Sequence, residues 1–148
     1  MKVLLIEDNY FAASLSEYLK DHGINAHRAQ NLIEAEGLLE NEGSFDAAIV
    51  DLDMNKFEVP LSLLDHTRAR FVGWVYYQHV LRQIPPLSKN TIILSALLYE
   101  FRMSTPKQDY EHLALVDKGD SDCLKQVRKE LNRFNEKPKK ESEEDKAT

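Results

Sequence analysis

This 148-residue chain has one cysteine, five glycines, five prolines and no apolar run long enough to cross a bilayer, and each shortage excludes something. Cys123 cannot form an internal disulfide, so the fold must rest on its core, as in proteins of a reducing cytosol. No apolar stretch approaches the roughly 18 residues of a membrane span. Met1-Lys2 leads directly into an apolar run and not into a secretory signal, so the expected location is the cytoplasm. Positive charge is also short, with 19 Lys and Arg against 25 Asp and Glu and a net charge of −6. Binding a phosphate backbone needs a basic stripe, and the small Lys137–Lys140 cluster is offset by Glu141, Glu143, Glu144 and Asp145. Direct nucleic-acid binding is therefore not expected. His22, His27, His66, His79 and His112 show no metal-ligand spacing, which argues against a zinc site.

What the chain does have is three short apolar runs that end on polar groups. VLLI at Val3–Ile6 is followed by Glu7 and Asp8, AAIV at Ala47–Val50 by Asp51, and TIILS at Thr91–Ser95 closes on Ser95. Unbroken apolar strands belong to parallel sheets covered on both faces, and ligands of such sheets bind outside the carboxyl ends of the strands. Between these runs the pattern is helical. Phe11, Leu15, Tyr18, Leu19 and His22 recur at helical spacing between Asn9 as cap and Gly23 as stop. A weakly apolar edge strand is expected at Ile24–Arg28. Asn31 with Glu34 marks a second helix start, with Leu32, Ala35, Leu38 and Leu39 as its buried stripe. Val75, Leu81 and Ile84 predict a helix over Gly73–Ile84 that Pro85-Pro86 stops. Ala96–Met103 reads as a short helix, His112–Val116 as a fifth strand, and Leu124, Val127, Leu131 and Phe134 as the stripe of a last helix begun at Asp120 or Ser121.

Five strands alternating with five helices predict an α/β fold, a doubly wound parallel sheet with right-handed crossovers. About 100–200 residues make one domain, here residues 1–134. Residues 55–72 are longer than a strand-to-helix connection needs and read as an insertion beside the expected pocket. Residues 135–148 lack apolar periodicity and read as a charged, disordered tail.

Glu7, Asp8 and Asp51 would bring three carboxylates together at neighbouring strand ends. Such crowding is unfavourable without a cation, and hard oxygen ligands suit Mg²⁺. Ser95 adds a hydroxyl and Lys118 an ammonium. Acids, metal, hydroxyl and ammonium together describe a site for a phosphoryl group carried on a carboxylate.

On these residues the chain resembles the receiver domains of two-component response regulators. The matching motifs are LLIED at Leu4–Asp8, VDLDM at Val50–Met54, LSA at Leu94–Ala96 and the lysine of VDKG at Val116–Gly119, in the family's order, and the likeness covers about Lys2 to Phe134. The resemblance implies a flavodoxin-like sheet of order 2-1-3-4-5 with helices on both faces. It implies that Asp51 is the phosphoacceptor, that Asp8 binds Mg²⁺ directly and Glu7 largely through a metal-bound water, and that the main-chain carbonyl of Asp53 is a further ligand. Ser95 then contacts the phosphoryl oxygens, and Lys118 pairs with the aspartate or its phosphoryl group. The implied partners are a sensor histidine kinase or phosphotransfer protein and a downstream protein; a homodimer is left open. Such a protein is a switch that catalyses its own phosphoryl transfer and slow dephosphorylation, not an enzyme acting on others.

The chain departs from the family pattern at several positions. Asn55 stands where proline is usual, and Gly119 replaces the proline after the lysine, which predicts a looser Lys118 loop. Leu115 replaces the usual switching aromatic. Leu97 places an apolar group at a position that tunes water access, and Asp53 adds a negative side chain. The insertion between Met54 and Gly73, with Gly119 and Leu115, keeps a phosphorylation-independent interaction module as an alternative. Asp51-Leu52-Asp53 also resembles the acid pair of haloacid-dehalogenase-like phosphatases, a more remote alternative because Glu7 and Asp8 precede it by two strand units.

Overall fold

The computed structural model describes residues 1–55, 58–66 and 68–136. Residues 137–148 of the expected tail, with its Lys137–Lys140 cluster, lie outside them. Five parallel strands form one sheet in the order β2-β1-β3-β4-β5: β1 (Lys2–Ile6), β2 (Asn25–Ala29), β3 (Ala47–Asp51), β4 (Thr91–Ser95) and β5 (Ala114–Asp117). The register sets Ile6 against Val50, Asp51 against Leu94, and Ser95 against Asp117. Because every strand runs the same way, all carboxyl ends lie along one rim.

The central strands are covered on both faces, which is why they read as unbroken apolar runs. On one face Val3, Leu5, Ile49 and Leu94 pack with Ala12, Leu15 and Leu19 of α1 (Phe11–Asp21) and with Cys123, Val127 and Leu131 of α7 (Cys123–Phe134). On the other, Leu4, Ile6, Val50 and Ile93 pack with α2 (Leu32–Asn41), α3 (Val72–His79), α4 (Pro85–Lys89), α5 (Leu98–Ser104) and α6 (Lys107–Tyr110). A 3₁₀ turn over Leu61–His66 lies within the expected insertion and buries Leu63.

Local signals set several boundaries. Asn9 Oδ1 accepts from Phe11 N at 3.2 Å, and Gly23 leaves the helix at φ +77°, which a residue with a Cβ rarely adopts. Asn31 Oδ1 accepts from Glu34 N at 2.8 Å, as its spacing predicted. The helix expected over Gly73–Ile84 is a correction. It ends at His79, Val80 breaks it (φ −120°, ψ −67°), and Leu81–Gln83 form a 3₁₀ turn. Pro85 and Pro86 then open α4, because proline's fixed φ and missing N–H suit a helix's first turn.

Phe101, fully buried, ties this second face together. Its ring meets Trp74 at 5.0 Å, Tyr110 at 5.2 Å and Phe71 at 5.7 Å between centroids. Truncating it removes three ring contacts and leaves a cavity among three helices. Phe101→Ala is expected to lower stability by about 3–5 kcal/mol in urea denaturation, and a loss under about 1 kcal/mol would show that this cluster is not part of the core.

Candidate functional site

Glu7 and Asp8 leave β1 at the rim, Asp51 ends β3, Ser95 ends β4, and Lys118 follows β5. Glu7, Asp51 and Ser95 are buried and Asp8 is exposed. One carboxylate oxygen from each of Glu7, Asp8 and Asp51 lies within 4.8 Å of the others, close enough to share one ion. The Lys118 ammonium enters the same space, 2.8 Å from Asp51 Oδ2 and 2.5 Å from Glu7 Oε2, while its stem passes Phe11, whose ring centroid is 5.7 Å from Nζ.

Main-chain contacts fix these groups. Glu7 N donates to Ala29 O on β2, and Asn9 N donates to Glu7 Oε1, each at 3.1 Å. Arg28 reaches across from β2 to the carbonyls of Glu7 and Asn9, a positioning role that a weakly apolar edge strand gave no signal for. Asp51 Oδ1 accepts from Asp53 N at 3.1 Å, so the turn after β3 wraps its own carboxylate. Ser95 Oγ accepts from Leu97 N at 2.9 Å; the hydroxyl proton is thereby left for another acceptor. Lys118 N donates to Ser95 O at 3.0 Å, which ties the β4 and β5 ends. The looser loop expected from Gly119 is instead closed by Asp117, whose Oδ1 accepts from Gly119 N at 2.8 Å. Asn55 and Asn31 donate to the two oxygens of Glu58 at 2.8 and 2.7 Å, so the start of the expected insertion is fastened to the α2 cap.

Burial and charge crowding raise the proton affinities of Glu7 and Asp8. Burial, reinforced by the Asp51 charge, pushes the Glu7 carboxyl up to about 7 from 4.5. The same two causes raise Asp8. Burial alone would lower Lys118, but its bonds to Asp51 and Glu7 outweigh that and hold it above its ordinary value.

Glu7 makes stability depend on pH. Between 4.5 and about 7 the folded chain keeps a proton that the unfolded chain has released. The stability lent by that proton is full below 4.5 and is lost as pH rises through about 7. With a chelator present, unfolding free energy is expected to fall by roughly 1–3 kcal/mol from pH 5 to pH 8. Glu7→Gln should flatten the slope; an equal slope in the variant would assign the effect to other groups.

No protein-family model and no curated protein matches the sequence. Among solved structures it is similar to the receiver domain of the Francisella response regulator 1452, with 20% identity over 90% of this chain and 93% of that one and a TM-score of 0.55. It is similar to the chemotaxis response regulator CheY4 of Vibrio cholerae, at 17% identity, 90% and 97% coverage and a TM-score of 0.59. The response regulator TrrA of Thermotoga maritima, solved in complex with Mg²⁺-BeF, matches at 17% identity over 90% and 97% with a TM-score of 0.62. Strand order, two-sided packing and near-complete overlap with these chains agree: the protein has the fold of the response regulator receiver domains, with an acidic cluster at its rim that can hold a metal ion.

Proposed function

We propose that this chain is a phosphoryl-accepting signalling switch, in which Asp51 takes a phosphoryl group from a histidine kinase or phosphotransfer protein and the modified rim is read by a downstream protein. The observation that carries this reading is the crowding of Glu7, Asp8 and Asp51 within 4.8 Å of one another, with the Lys118 ammonium on Glu7 and Asp51. Phosphoryl transfer through a loose, charge-spread transition state asks for positioning and electrostatic stabilisation. Asp51 supplies the attacking oxygen, held in place by Asp53 N. Lys118 turns from the carboxylates to the oxygens of the incoming group, and the free hydroxyl proton of Ser95 is donated to another of them.

The donor set fits Mg²⁺: hard carboxylate oxygens in negative excess, one of them exposed on Asp8. Asp8 and Asp51, with the Asp53 carbonyl, would hold the ion directly and Glu7 through water. When bound, it neutralises charge on the transferring phosphoryl group. Among the described residues no helix is long and apolar enough to cross a membrane, which accords with the cytoplasmic site of such a switch.

The test is intact-mass measurement after incubation with Mg²⁺ and acetyl phosphate. One added phosphoryl group is expected, lost when the metal is chelated. A chain that stays unmodified under conditions that label other receivers would refute this proposal and favour the phosphorylation-independent module.

A further inference from the structure

The proposed function leaves the segment between Met54 and Gly73 without a role. Its returning end lies against the turn that follows Asp51, and between the two is a cavity of about 350 Å³, lined by Asp53, Met54 and Asn55 on one side and by Arg68, Arg70 and Val72 on the other. Asp53, which lines the cavity, donates its N–H to Asp51 Oδ1 at 3.1 Å, so the cavity adjoins the turn that holds the Asp51 carboxylate. Both arginines are exposed, and among the described residues neither guanidinium has a carboxylate within 4.0 Å. Arg70 lies over the Phe71 ring at 5.2 Å, a contact that orders a guanidinium while its N–H edge remains open to a planar anion. Glu58 is already engaged by Asn31 and Asn55, so Asp53 supplies the carboxylate in the lining, against two cations. Two guanidiniums against one carboxylate give this lining a positive excess beside the turn after β3.

We infer that Arg68 and Arg70 form a donor-recognition site, which holds a second anionic group of the phosphodonor while its phosphoryl group lies against Asp51. The inference rests on the phosphoryl-accepting reading and names the substrate class that the insertion selects. For an acyl phosphate the step is balanced. An Asp51 oxygen forms the new bond to phosphorus as the bond from phosphorus to the acyl oxygen breaks, and the acyl group leaves as a carboxylate with that electron pair. A donor with a further carboxylate gains two charge-assisted contacts that acetyl phosphate cannot make.

Rates of adduct formation on the full chain, in Mg²⁺ at low ionic strength, distinguish the outcomes. Succinyl phosphate is expected to label about tenfold faster than acetyl phosphate, a ratio that shrinks as salt screens exposed charges. In the Arg68→Ala/Arg70→Ala variant the ratio should fall to about one. Arg68→Lys/Arg70→Lys should keep part of it, since charge remains and the planar fork does not. Equal rates in the unaltered chain, or a preference that survives in the double alanine variant, would overturn the inference and leave the switch intact. Labelling by neither donor would overturn both.

Discussion

Asp51→Asn is expected to give a folded chain that accepts no phosphoryl group. The amide keeps the shape of the carboxylate and can still accept the hydrogen bond that Asp53 N now gives to Asp51 Oδ1 at 3.1 Å. It removes the charge proposed to attack phosphorus and one of the three carboxylates within 4.8 Å of one another. On the proposed function the loss is of the nucleophile itself and not of a supporting contact, so labelling by acetyl phosphate should fall below detection, by more than about a hundredfold. Intact mass measures the adduct, and a melting curve shows that the variant is folded. If a folded Asp51→Asn chain still gains one phosphoryl group at the parent rate, the acceptor lies elsewhere.

Gly73→Ala should damage the molecule through the same strand end by a different route. Gly73, in the first turn of α3, donates its N–H to Leu52 O at 3.1 Å and lies so near the backbone that an added Cβ would be 2.0 Å from the Asp51 carbonyl oxygen and 3.0 Å from Leu52 Cα. Those atoms are main chain and cannot move aside as a side chain does. The helix must lift from β3, which loosens both the core and the turn that holds Asp51. A loss of about 3 kcal/mol or more is expected, beyond the usual cost of overpacking because backbone has to yield. Gly37 in α2 provides the contrast: nothing lies within 4 Å of its added Cβ, and Gly37→Ala should raise stability by roughly 0.5–1 kcal/mol. Urea denaturation of the pair decides the matter. Comparable stabilities would show that the glycine at 73 answers no packing demand, and a Gly73→Ala chain recovered only in insoluble form beside a soluble Gly37→Ala chain supports it.

Glu7 follows β1 and Gly73 packs on the end of β3, yet the two differ in how legible they are in the sequence. Glu7, Asp8 and Asp51 stood out because each follows an apolar run, and their meeting within 4.8 Å follows from parallel strands sharing one rim. Gly73 showed only as the start of a helix. Nothing nearby in sequence announces that its missing Cβ faces a carbonyl 22 positions earlier. Arg28 was hidden likewise: one charged residue on a weakly apolar edge strand looks solvent-facing, and its bonds to the Glu7 and Asn9 carbonyls exist only once β2 pairs with β1. Trp74, Tyr76 and Tyr77 of α3 are all buried. Their helix ends at His79, short of what the pattern of Val75, Leu81 and Ile84 predicts, because Val80 breaks the backbone between them. At the Lys118 loop, the glycine that replaces proline suggested freedom, whereas Asp117 two residues before it closes the turn.

By itself the sequence determined the alternation of strands and helices, the doubly wound class and the polar groups at the strand ends. Burial on both faces of a strand, or along one stripe of a helix, is written into neighbouring residues and can be read locally. Only the tertiary structure decided which atoms meet: Lys118 between Glu7 and Asp51, Asn31 and Asn55 on Glu58, Gly73 on the β3 carbonyl, and two arginines beside the turn after β3. Those contacts join residues far apart in the chain, and their distances are set by how sheet and helices pack, which no local pattern encodes.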